Sequence, residues 1–145
     1  MKPIVILIVG LPSSGKTTLA KGIVPLLNAV HWNADEIRDN VNDDLGFSIE
    51  DRMTQARRMG WLSRKVRDCG VCAVCDFVCP TPEARDNFGK YDVLIWMDTI
   101  KPEESPYPDT AELFVGPELA DLIFEEKQLD TNLEVVLDYL SEKFG

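Results

Sequence analysis

The chain has 145 residues, is 45% hydrophobic and carries a net charge of −10, long enough to enclose a core and read as one domain over residues 1–145. So acidic a balance argues against a general affinity for nucleic acid or an anionic membrane, and no apolar run approaches the roughly 18 residues of a membrane span. Met1-Lys2-Pro3 leads into an apolar run rather than a signal peptide, so the expected location is the cytoplasm.

In chain order, the run Ile4 to Val9 predicts a first strand over about residues 3 to 9. Gly10-Leu11-Pro12-Ser13-Ser14-Gly15-Lys16-Thr17 follows it and is a complete G-x-x-x-x-G-K-[ST] phosphate loop. Glycines let backbone N–H groups close around phosphate oxygens, Lys16 brings a cation to the β/γ-phosphates, and the Thr17 hydroxyl can ligate Mg²⁺. Thr18 continues into a helix expected over 16 to 28, whose dipole also favours an anion. Residues Gly10 through Thr18 are therefore the expected phosphate cradle, with ATP as co-substrate.

Val30 to Asn33 reads as a second strand, followed by a short helix from Ala34 to about Val41. Ser48 with Asp51 three residues on marks the start of a long helix ending near Cys69-Gly70. Val71 to Phe77 predicts a buried strand, helix signals return after Pro82, and Tyr91 to Met97 predicts a fourth strand. Residues 98 to 117 contain Pro102, Pro106, Pro108 and Pro117 and read as a long loop. A fifth strand is expected at Asp121 to Phe124, and Thr131 with Glu134 resembles a capping box for a last helix reaching about Phe144. Alternating β and α elements predict an α/β, P-loop NTPase-type three-layer fold, with a mostly five-stranded parallel sheet flanked by helices. Ligands then lie at the carboxyl ends of the strands.

Two carboxylates should approach the phosphate loop: Asp35 after the second strand and Asp76 near the end of the third. With Thr17 they are the expected Mg²⁺ side, and one of them could accept the proton of an acceptor hydroxyl. Asp98 is a lesser candidate. His31 reads as a packed or surface residue without a role. Arg64, Lys65 and Arg67 read as a solvated helix face. Cys69, Cys72, Cys75 and Cys79-Pro80 have the spacing of a bacterial ferredoxin. A strand, however, sends Cys72 and Cys75 to opposite faces, whereas a cluster needs thiolates that converge; no iron–sulfur cluster is expected. Basic groups thin out toward the end, where residues 92 to 145 hold only Lys101, Lys127 and Lys143 among many carboxylates. Anionic substrates should therefore meet the first half.

Three blocks resemble the adenylylsulfate kinase family: Asn33-Ala34-Asp35-Glu36-Ile37-Arg38; Asn42 to Arg52 continuing to Arg57-Arg58; and Phe77-Val78-Cys79-Pro80 with Arg85. The family pattern reads D-G-D-N-[IL]-R, then N-x-D-L-G-F-S-x-x-D-R-x-E-N-I-R-R, then F-I-S-P-x-x-x-x-R. The resemblance spans about residues 4 to 88. It implies ATP-dependent phosphorylation of the 3′-hydroxyl of adenylyl sulfate in sulfate assimilation, with Mg²⁺. By position it implies Lys16, Asp35 and Arg85 as catalytic, and Arg38, Phe47, Arg52, Gln55, Val78, Cys79 and Pro80 as acceptor-binding. Asn33 stands where the family has its first aspartate, Gln55 for an asparagine, and Cys79 for the serine of F-I-S-P. The arginine- and lysine-rich lid of the family has no counterpart; residues 98 to 117 replace it, and Arg85 is the expected substitute cation. The phosphate loop does not distinguish acceptors, so another small hydroxyl acceptor, or a non-catalytic nucleotide-binding module, stays open. The expected partners are ATP and adenylyl sulfate, without nucleic acid or membrane, and the assembly considered is a homodimer.

Overall fold

A computed structural model describes all residues, 1–145. Val5–Val9 forms β1, and its five residues are all buried, as befits the middle of a parallel sheet covered on both faces. The remaining strands are β2 (Val30–Asn33), β3 (Ala73–Asp76), β4 (Val93–Met97) and β5 (Leu122–Phe124). All pairings are parallel, in the order β2-β3-β1-β4-β5. The helices are α1 (Lys16–Leu27), α2 (Ala34–Asn40), α3 (Ile49–Asp68), α4 (Pro82–Phe88), α5 (Pro108–Leu113) and α6 (Leu129–Phe144). None is long and apolar enough to cross a membrane.

Strand alternation divides the core between the two faces. Ile4, Ile6 and Ile8 pack with Leu19 and Ile23 of α1 and with Val136 and Leu140 of α6. Val5, Leu7 and Val9 pack on the other side with Ile37 of α2, Met59 of α3, and Ala84 and Phe88 of α4. The three-layer expectation is thus met. Helix α3 is capped as its sequence suggests, with Ser48 Oγ accepting the Asp51 N–H at 3.1 Å. Its Gly60 lets α4 approach closely, since a β-carbon there would sit 1.9 Å from the Phe88 carbonyl oxygen.

Four expectations need correction. The last helix begins at Leu129 with Gln128 as its cap, so Thr131 lies inside it and no Thr131–Glu134 capping box forms. Residues 98 to 117 are not all loop: a 3-10 turn covers Pro102–Glu104 and α5 covers Pro108–Leu113. The reason is that proline suits the first turn of a helix, where its missing N–H has no partner to lose. Arg64 does not face solvent, because its Nη1 donates to the carbonyls of Phe88 at 2.6 Å and Lys90 at 3.3 Å. The fourth correction concerns His31, described below.

The cysteines follow the strand argument. Cys72 is buried on the α1 face and Cys75 on the α3 face, while Cys69 caps α3 and is exposed. Burial pushes the Cys75 thiol up to about 12, and its sulfur lies 2.7 Å from Ser63 Oγ.

Candidate active site

The phosphate loop joins β1 to α1 at the carboxyl end of the sheet. Its shape needs left-handed residues: Ser13 has φ 70° and Gly15 φ 95°. Gly10 has φ 155°, and a β-carbon there would meet the Met97 carbonyl oxygen at 2.7 Å, so β4 itself forbids a side chain at this point. Thr99 Oγ1 donates to the Ser14 carbonyl at 2.7 Å and ties the segment after β4 to the loop. Ser14 Oγ is buried beneath the loop without a hydrogen-bond partner.

Lys16 is folded back on its own loop, with Nζ donating to the Leu11 carbonyl at 2.8 Å. Burial lowers its pKa to about 8, and the charges of Asp76 and Asp35 oppose that shift. Beside it a buried carboxylate gathers three donors. Asp76, only 1% exposed, accepts from Thr17 Oγ1 and from Asn33 Nδ2 at its Oδ1, each at 2.9 Å. Its Oδ2 accepts from His31 Nε2. The register explains the cluster: Asn33 on β2 and Ile8 on β1 are the Cα partners of Asp76 on β3, so these side chains share the α1 face. Asn33 therefore no longer brings a carboxylate, and its neighbour across the strand does. Its own Oδ1 caps α2 by accepting the Glu36 N–H at 3.0 Å.

Asp35, in the first turn of α2, is exposed and stands outside the hydrogen-bonded group around Asp76. It lines a second concavity together with Arg38, Phe47, Arg52, Gln55 and the segment Phe77 to Pro80. All the expected acceptor residues thus meet in one groove. The Phe47 ring is 68% exposed, with the Arg38 guanidinium 4.3 Å and that of Arg52 5.5 Å from its centroid. Burial lowers the pKa of both arginines, and for Arg38 the charge of Arg52 adds to the effect. Two cations drawn together around an exposed ring are chemically able to receive a flat anionic group. Backbone and side-chain acceptors hold the arginines in place: Arg38 Nη1 donates to the Gly46 carbonyl at 2.7 Å, and Arg52 Nη2 to Thr110 Oγ1 of α5 at 3.0 Å. Gln55 is buried, donating Nε2 to the Ala34 carbonyl at 3.3 Å.

Cys79 closes the groove in a left-handed conformation, φ 44°, with burial pushing its thiol far up. Arg85 braces this turn. It is 8% exposed, with Nη1 donating to the Cys79 carbonyl at 2.9 Å and Nη2 to the Val115 carbonyl at 2.6 Å. The Val115 N–H in turn donates to the Pro80 carbonyl at 2.7 Å. Arg85 thus bonds to the backbone behind the groove, at the position where the sequence suggests a cation for the transferring phosphoryl group. The family-like spacing from Pro80 fixed its place, but its carbonyl partner at Val115 lies 30 residues away.

Sequence reasoning missed two residues near the loop. His31, without a role in the sequence pattern, sits two places before Asn33 on β2 and shares its face; strand alternation carries that signal. Lys127, between β5 and α6, lies against the phosphate loop, with Cγ 3.6 Å from where a β-carbon on Gly15 would be. It lines a small hollow with Gly15, Thr18, Met97 and Leu129. No local pattern marks it.

The sequence pattern of the family described as adenylylsulphate kinase matches residues 2–93. The probable adenylyl-sulfate kinase of Aeropyrum pernix is 36% identical over 90 residues, which are 59% of this chain and 49% of that protein. The adenylyl-sulfate kinase of Oceanobacillus iheyensis is 35% identical over 91 residues, 59% of this chain and 46% of that one. The chain thus spans about half the length of these curated relatives. Among solved structures, the Mycobacterium tuberculosis APS kinase CysC in complex with AMPPNP and APS superposes with a TM-score of 0.84 at 22% identity, covering 97% of this chain and 98% of that one. That likeness extends the shared fold past residue 93, through β4, β5 and α6. The chain belongs to the adenylylsulphate kinase family.

Proposed function

We propose that this chain transfers the γ-phosphoryl group of ATP to the 3′-hydroxyl of adenylyl sulfate, giving 3′-phosphoadenylyl sulfate and ADP, as a cytoplasmic step of sulfate assimilation. The observation that carries this reading is the groove of Arg38, Phe47 and Arg52, lined also by Asp35, whose charge acts on Lys16 of the phosphate loop. An adenine offers a π-face for Phe47, and a mixed phosphate–sulfate anion suits two guanidiniums better than a neutral sugar or a small polyol would.

Each residue has a distinct task. Lys16 leaves the Leu11 carbonyl for the phosphate chain, where its charge counters the charge that shifts during transfer. Backbone N–H groups of the loop hold the β-phosphate, and Asp35 accepts the proton of the attacking hydroxyl. Arg38 and Arg52 fix the acceptor so that its hydroxyl is in line with the transferring group. The donors around Thr17 fit Mg²⁺: a hydroxyl and a carboxylate are hard oxygen ligands, and Thr17 Oγ1 and Asp76 would hold the ion directly or through its water. When bound, Mg²⁺ neutralises charge on the β- and γ-phosphates. With cysteine at position 79, buried and far from its thiolate form, transfer is direct rather than through a phosphorylated residue.

The test is to incubate the purified protein with Mg·ATP and adenylyl sulfate and to resolve the nucleotides. Formation of 3′-phosphoadenylyl sulfate with equimolar ADP supports the reading. Tight ATP binding with no transfer to adenylyl sulfate removes it and favours a nucleotide-binding module, a reading that draws on the single basic residue, Lys101, among residues 98 to 117.

A further inference from the structure

The Asp76 carboxylate is almost wholly buried, and as a carboxylate it can only accept hydrogen bonds, so the proton between it and His31 belongs to His31 Nε2. Thr17 and Asn33 both address Oδ1, and His31 alone addresses Oδ2. His31 is only 15% exposed, yet it belongs to neither apolar core; its polar contact is with Asp76 and with nothing else. Without it, Oδ2 is a buried acceptor lacking a donor, and the carboxylate gains by turning to share Thr17 and Asn33 between its two oxygens. That turn takes Oδ1 away from the Thr17 hydroxyl, the group that must give its proton to Asp76 if its lone pairs are to face a cation.

We propose that His31 is a positioning residue which, by donating Nε2–H to Asp76 Oδ2, holds Oδ1 on Thr17 and so sets the affinity of the phosphate site for Mg²⁺. The inference rests on the reading of Thr17 and Asp76 as the metal side. His31 touches neither the nucleotide nor the ion and acts through Asp76.

The experiment measures ATP affinity by calorimetry with Mg²⁺ and with EDTA, and Mn²⁺ binding by electron paramagnetic resonance in the presence of a non-hydrolysable ATP analogue. Wild type, His31→Gln and His31→Asn are compared, each with its thermal transition as a check on folding. Glutamine places an amide N–H near the position of Nε2, and asparagine is too short to reach. His31→Asn should lower Mn²⁺ affinity, and the Mg²⁺-linked gain in ATP affinity, by about 10-fold, the lower end of losses seen when a group orienting a metal ligand is removed. ATP affinity in EDTA should stay the same, and His31→Gln should restore most of the loss. A folded His31→Asn with wild-type metal affinity overturns the proposal, and so do equal losses in both variants, which would mean that ring packing rather than the hydrogen bond matters. If wild type binds ATP no better with Mg²⁺ than with EDTA, the metal site at Thr17 and Asp76 itself falls, and the role of His31 falls with it.

Discussion

Lys16 donates its ammonium to the carbonyl of Leu11, 2.8 Å away within the same phosphate loop, and burial has lowered its pKa to about 8. A bound triphosphate favours the charged lysine and raises that pKa. The sign follows: below about pH 8 Lys16 is protonated with or without nucleotide, and affinity is flat. Above it, the free protein has lost a proton that the complex retains, so binding takes up a proton and affinity falls by up to about tenfold per pH unit until the pKa of the complex is reached. Calorimetric titration of ATP between pH 7 and 9.5, in buffers of different ionisation enthalpy, should show this uptake. Lys16→Ala should abolish the pH dependence and lower turnover by at least about 10²-fold with folding preserved.

The acceptor groove predicts a separation of ligands. Arg38→Ala removes a cation stacked on Phe47, so adenylyl sulfate affinity should fall by about 1.5–3 kcal/mol, the range for hydrogen bonds to charged groups, while ATP affinity stays unchanged. Separate calorimetric titrations of the two ligands decide this. Equal losses for both would place Arg38 outside the acceptor site.

Arg85 should behave as a brace. Arg85→Ala leaves the Cys79 and Val115 carbonyls without their donor, which costs about 1–3 kcal/mol for each group that stays buried. Denaturant unfolding should show the loss. In kinetics, KM for the acceptor should rise because the Cys79–Pro80 turn loosens, with KM for ATP little affected. Arg85→Lys should recover only part, since an ammonium does not reproduce a two-pronged contact with carbonyls on different segments. A stable variant whose kcat alone drops would return Arg85 to the transferring phosphoryl group.

These residues show what a sequence can reveal. The phosphate loop was legible because its chemistry is local: glycines, lysine and threonine act within eight consecutive residues. The sheet was legible because its strands are short apolar runs with clear ends. Asp76 was also readable, as an acid at the end of a buried strand. Long-range pairing was not. Nothing around Arg85 tells that its second partner is Val115, and nothing near Arg64 tells that the Phe88 carbonyl will take its guanidinium. Helix α5 is hidden for a different reason: prolines suggest breakers, although Pro108 stands at a first helical turn, where proline is at home. His31 lay between these cases, since strand alternation put it beside Asn33 while only the fold put Asp76 opposite.

The cysteine spacing leads to a further expectation, because Cys72 and Cys75 lie on opposite faces of the sheet. The protein should be colourless near 400 nm and free of stoichiometric iron, even after anaerobic reconstitution. Cys72→Ala should cost only packing, on the order of 1 kcal/mol in denaturant unfolding. Iron that is present in the wild type and lost with this substitution would contradict the strand geometry.

Lys127 bears on the missing lid. Residues 98 to 117 contribute only Lys101, so a second cation for the triphosphate has to come from elsewhere. Arg85 is committed to carbonyls, and Arg38 and Arg52 surround Phe47. Lys127 remains: it forms no ion pair although Glu125 and Glu126 precede it, and its stem rests on Gly15 at the start of α1. Its ammonium is then within a side chain's length of a phosphate held by the loop. Lys127→Met keeps the stem and removes the charge. ATP affinity should fall about 3- to 10-fold, less for AMP than for ATP, and the difference from wild type should shrink as salt rises, because the site is exposed and screened. Nucleotide titrations at two ionic strengths measure both effects. Should Lys127→Met bind ATP as wild type does at low salt, Lys127 covers Gly15 by packing alone, and the phosphate chain relies on Lys16 and the loop.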